Sequence, residues 1–144
     1  MTLTPPTLLS TALRLYLAVP LLGSGVVSAV APGTIGESGS PAAVAMFDGM
    51  RSTVLWGAII TVKITAAALL IAGRYVPLAL AMAAPVTVSI LLLETFEGSN
   101  SPLIGLSLLA AQGALVWRHR AAFLAALRAP ASPWSAARPT PLEA

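Results

Sequence analysis

Four apolar stretches, parted by polar or Pro/Gly-rich joints, organise the chain: residues 15–31, 54–72, 76–93 and 102–117. Leu8 and Leu9 lead into the first, only Lys63 interrupts the second, and the third carries no charge. The fourth is short, but a further apolar stretch follows it over 121–127. Each lies near the ~18–20 residues that cross a bilayer. Inside lipid every backbone N–H and C=O must be satisfied within the segment, so such runs become helices. The alternation of a membrane barrel strand is missing. The pattern predicts an all-α fold, an integral membrane four-helix bundle of antiparallel up-down topology. Its helices are expected over about 9–31, 54–72, 76–93 and 102–120, within a domain covering 1–128.

The joints sharpen this expectation. Gly73, Arg74 and Tyr75 leave room only for a tight antiparallel hairpin, with Gly73 suited to the helix C-cap. The stretch 32–53 is the longest connection, punctuated by Pro32, Gly33, Gly36, Gly39 and Pro41. Its second half, 42–50, is apolar enough to lie along the membrane surface or pack under the bundle. Residues 129–144 hold Pro130, Pro133, Pro139 and Pro141, the composition of a disordered cytoplasmic tail. Ala29, Val30 and Ala31 resemble a signal-peptide cleavage site. Only Arg14 precedes that run as a base, however, and Pro32 follows it, so the first helix is read as retained.

Composition agrees with a membrane chain. Hydrophobic residues make up 57% of the 144, charged residues only 9%, against roughly 25% charged in a soluble domain. A soluble enzyme and a disordered chain are both excluded. There is no cysteine and one histidine, which removes disulfides, thiol chemistry, Cys-ligated metals and bis-histidine haem. No metal site and no catalytic constellation is expected.

Charge gives orientation. Arg14, Arg74, Arg118, Arg120, Arg128 and Arg138 fall on one side if four helices alternate; Glu37, Asp48, Glu94 and Glu97 fall on the other, with Arg51. The positive-inside rule then makes both termini cytoplasmic. The basic excess reads as an arginine-rich inner rim for anionic lipid headgroups, not as a nucleic-acid signal. The segment 118–128 sets Phe123, Leu124 and Leu127 on one stripe, so it can bend along the inner surface.

Lys63 carries the main chemical interest. It stands about nine residues from either end of its stretch, ~14 Å from each interface and beyond easy snorkelling. A central lysine costs about 2.5–3.5 kcal/mol on insertion, and the nine Val, Ile and Leu residues of that helix contribute roughly 2.7–5.4 kcal/mol against it. Lys63 should therefore face the bundle interior. In a hairpin about 73–75 it lies level with Pro85, which leaves the Ala81 carbonyl without its usual donor. That carbonyl and the hydroxyls of Thr61, Thr65 and Thr87 are candidate acceptors, with Ser24 at similar depth and Gln112 lower. Two readings stay open. One is an anion, quinone or proton site; the other is a structural lysine holding the helices in register.

Glu94 and Glu97 share a helical face at the outer end of the third stretch and are expected to form a solvated rim meeting Arg51. His119, between Arg118 and Arg120, reads as an interfacial end cap. Small residues four apart, Gly25/Ala29, Ala79/Ala83 and Ala110/Ala114, permit close helix approach.

The block Gly73-Arg74-Tyr75-Val76-Pro77-Leu78-Ala79-Leu80, followed by Ala84-Pro85-Val86, resembles the signature of DoxX-like small bacterial membrane proteins. Leu13-Arg14-Leu15 is similar to the family's opening helix, Trp56 and Lys63 to its aromatic and lysine, and Trp117-Arg118-His119-Arg120 with Phe123 to its basic-aromatic end. The likeness covers about 9–127. It implies a four-helix protein of the bacterial inner membrane. The chain departs from it at Thr65, where many relatives carry glutamate, and at Ser89 and Glu94, where many carry Asn and His. The family takes its name from a subunit associated with a thiosulfate:quinone oxidoreductase, and most members have no assigned activity.

The leading functional expectation is an accessory or structural subunit of a membrane complex, without catalysis of its own and with a membrane protein partner or a second copy. The alternative is a quinone- or small-anion-binding protein using Lys63, either as an oxidoreductase subunit or as a small transporter. No cofactor is predicted, a quinone being the one exception this pattern would accommodate.

Overall fold

The computed structural model describes residues 5–34, 40–96 and 102–128. Among these the chain is all-helical. Pro5 and Pro6 open α1 (Pro5–Val30), where the missing N–H groups cost nothing because first-turn donors have no partner within the helix. A 3-10 turn, Pro32–Thr34, follows. α2 (Pro41–Arg51) starts where the Ser40 hydroxyl accepts from the Ala43 N–H at 3.2 Å, with Pro41 in the first turn. The apolar stretch after the first turn residues is thus a helix of its own.

Thr53 caps α3 (Val54–Ala72) by accepting from the Leu55 N–H. Gly73 ends it in the left-handed conformation, φ 68°, its N–H donating to the Leu69 carbonyl at 3.0 Å. Tyr75 also has positive φ, 55°, and the chain enters α4 (Val76–Phe96) directly afterwards. The Arg14 guanidinium lies over Gly73, where a Cβ would stand, and so places a cation at the C-terminal end of α3, the favourable end for positive charge. α5 (Leu103–Arg118) breaks at His119, whose Nδ1–H donates to the Leu115 carbonyl at 2.9 Å, and α6 (Arg120–Arg128) follows.

The helices pack in a closed order: α1 on α3, α3 on α4, α4 on α5 and α5 back on α1, with α2 resting on α3. Alanine makes the contact close. Ala18, Ala66, Ala67, Ala79 and Ala83 are fully buried between Leu17, Leu70, Leu80 and Leu115. Gly25 does the same for α1 and α3, since a Cβ there would meet Ile64 Cγ1 at 3.0 Å and Lys63 Cβ at 3.3 Å. Ala79 and Ala83 lie in the core, whereas Ala29, Ala110 and Ala114 face outward.

The buried core occupies the half of the molecule toward the Gly73–Tyr75 turn: 17–21 of α1, 66–70 of α3 and 76–83 of α4. The other half of α3 and α4 is packed less fully. α1, α3 and α4 are long and apolar enough to cross a membrane, as in a multi-pass membrane protein. α5, at 16 residues, is shorter, about 24 Å against a hydrocarbon core of about 30 Å.

Candidate ligand-binding groove

Beyond the core, α3 and α4 part to leave a groove of about 770 Å³, within the range of about 300–1,000 Å³ typical of small-molecule sites. Pro85 stands at the transition, between core residue Ala83 and the first groove residues of α4. α3 supplies Leu55, Trp56, Ala58, Ile59, Val62 and Lys63; α4 supplies Pro85, Val86, Ser89, Ile90, Leu92, Leu93 and Phe96. α2 contributes Met46, Phe47 and Met50, and α1 contributes Ser24.

The walls are almost wholly apolar, and their polar side chains are nearly all committed. Ser24 Oγ donates to the Leu21 carbonyl at 3.3 Å and Ser89 Oγ to the Pro85 carbonyl at 2.7 Å. Trp56 Nε1–H reaches across to the Ser28 carbonyl of α1 at 3.3 Å. Lys63 is the exception: half-buried, it has no hydrogen-bond or ion-pair partner among the described residues. Its three donors are the uncommitted ones in the groove.

The residues expected to gather around Lys63 divide. Ser24 and Pro85 share the groove with it. Thr61 is exposed and donates to the Gly57 carbonyl at 2.8 Å, and Thr65 is exposed. Thr87 is 2% exposed and donates to the Ala83 carbonyl at 3.0 Å, the helix-internal bond common for threonine in membrane helices. Gln112, 4% exposed, spends Nε2–H on the Leu80 carbonyl at 2.9 Å, joining α5 to α4, while its Oε1 is buried without a partner. Ala81 faces outward. Thr61, Thr65, Thr87, Gln112 and Ala81 do not line the groove.

The outer rim differs from expectation. Glu94 is 7% exposed rather than solvated, and its Oε2 accepts from the Gly105 N–H at 2.6 Å. The reason is local: the N-cap residue of α5 is Pro102, which offers no side-chain cap, so the helix's first N–H groups need an acceptor from elsewhere. Arg51 does not meet Glu94. It pairs with Asp48 at 2.6 Å within α2 and lies 5.6 Å from the Trp56 ring centroid. Phe47 meets the same ring edge-on at 6.3 Å. Glu97 and the tail 129–144 lie outside the described residues.

Sequence reasoning missed Met46, Phe47 and Met50 as groove residues. The signal was present in the apolar character of 42–50, but not the face of α3 on which that segment would rest. Among the described residues no group of three or more His, Asp or Glu could hold a metal ion. What the arrangement can do is hold an apolar body against α3 and α4 while Lys63 donates to an acceptor on it. We find no family model, curated protein or solved structure that matches this chain.

Proposed function

We propose that this chain is a four-span protein of the bacterial inner membrane that holds a lipophilic ligand in the α3–α4 groove. In this reading α5 is the fourth span, shorter than the other three and accommodated by tilt or local thinning. The four form an antiparallel up-down bundle with both termini cytoplasmic, as the arginine asymmetry supports. The likeness of the block 73–86 to DoxX-like proteins agrees with that class. The observation that carries the ligand reading is Lys63, a cation with free donors on the wall of an apolar groove. A membrane-embedded ammonium requires acceptors, and a bound headgroup supplies what the protein does not.

The test uses Trp56 as reporter, isolated by Trp117→Phe and Trp134→Phe. Titration with decyl-ubiquinone, a lipophilic quencher with carbonyl acceptors, should give saturable quenching in mild detergent. Ser89→Phe, which narrows the groove, should abolish saturation. Quenching that rises linearly and equally in both chains would count against the site.

A second reading, an accessory subunit or homo-oligomer, has its own support in α5. Ala110, Gly113 and Ala114 face outward, and a Cβ at Gly113 would meet nothing within 4 Å, so the face admits another helix closely. The chain has no cysteine, so Ala114→Cys gives a single reporter. Oxidation in native membranes should yield one crosslinked product of discrete mass if this face is covered, and none if it faces lipid.

A further inference from the structure

We infer that the groove is built for a lipophilic monoanion, one carboxylate on an apolar body, bound with its carboxylate on the Lys63 ammonium. This rests on the reading of the groove as a ligand site and names the ligand's class. The first ground is charge balance. Among the described residues, Lys63 is the only charged one lining the groove. Glu94, the carboxylate on α4 nearest to it in sequence, is turned onto the Gly105 N–H and not into the groove. An uncompensated charge among apolar walls is expensive, and a single negative charge cancels it. A neutral carbonyl hydrogen-bonds the ammonium but leaves its charge standing, and a dianion leaves a charge of opposite sign.

The second ground is the donor inventory. With Ser24, Ser89 and Trp56 spending their donors on backbone carbonyls, one ammonium must satisfy the whole headgroup. Its three N–H bonds suit the two oxygens of a carboxylate, whereas a phosphate or sulfate would bring further oxygens into a wall without donors. The third ground is the body. From Lys63 to Leu55 the α3 wall runs eight residues, ~12 Å, lined by Val62, Ile59 and the Trp56 ring. A small hydrophilic anion would lose its hydration there and gain only one partner. An apolar body gains the walls as well.

The experiment compares cis-parinaric acid with its methyl ester, two fluorescent probes alike except for the charge. Both are titrated against the purified full chain in mild detergent. The acid should bind at least tenfold more tightly than the ester. Lys63→Met should reduce the acid to the ester's affinity, and Lys63→Arg should keep the preference. Equal binding of acid and ester to the unmodified chain would overturn the inference while leaving the groove a ligand site. Absence of saturable binding by either would overturn both. The acid–ester comparison on the unmodified chain needs no variant, so a Lys63→Met chain that failed to fold would not rescue the proposal.

Discussion

Glu94 of α4 accepts a hydrogen bond of 2.6 Å from the backbone N–H of Gly105, and so supplies the cap that α5 lacks. The helix N-terminus carries partial positive charge and orphan donors, so a carboxylate from the neighbouring helix answers both. Gly105 is what lets the two helices come this close. A Cβ there would stand 2.6 Å from Glu94 Oε2 and 2.8 Å from Leu91 Cα.

Three substitutions test this latch. Glu94→Ala leaves a buried N–H without an acceptor and should cost about 1–3 kcal/mol. Glu94→Gln keeps an acceptor oxygen and should lose less. Gly105→Ala pushes against backbone at Leu91 and should cost about 1–3 kcal/mol by overpacking. Thermal unfolding followed by circular dichroism in mild detergent reads all three. An unchanged midpoint for Glu94→Ala would show that the bond contributes nothing.

Gly73 and Arg14 form a second such pair at the opposite end. Alanine at Gly73 must hold φ 68°, which costs roughly 1–2 kcal/mol for an L-residue, and must also displace the Arg14 guanidinium. Gly73→Ala should therefore destabilise less in an Arg14→Ala background than in the unmodified chain. Strict additivity in that double-mutant cycle would mean that the two residues do not interact.

Much of this architecture is legible in the chain, and the exceptions have physical reasons. The run 54–72 matches α3 because Thr53 and Gly73 punctuate it as cap residues. The third apolar run stops at 93, where Glu94 interrupts the pattern, yet α4 continues to Phe96. A charge looks like a helix end in one dimension, and only the neighbouring helix reveals that Glu94 points inward. Lys63 was legible as an exceptional residue from its depth alone. Its surroundings were not, because the hydroxyls of Thr61 and Thr87 satisfy their own helix backbone. The groove itself depends on α2 coming to rest on α3, a long-range contact without a local signature.

In the proposed topology the arginines set the orientation. Arg74 in the α3–α4 turn and Arg118 and Arg120 at the α5–α6 break should face the cytoplasm. A reporter fused after Ala144 should be active only in cytoplasmic form, and one inserted near Gly36 only in external form. An external reporter after Ala144 would contradict this orientation.

The ligand reading turns on whether Lys63 holds something. Native mass spectrometry of the chain extracted in mild detergent, alongside Lys63→Met, tests that most directly. Removing the charge also removes about 2.5–3.5 kcal/mol of insertion cost, so the variant should fold and accumulate at least as well as the unmodified chain. The expected result is a bound small molecule of discrete mass on the unmodified chain, lost from Lys63→Met while the variant keeps its helical circular dichroism spectrum. The same adduct at the same occupancy on both chains, or no adduct on either, would contradict a ligand held by Lys63.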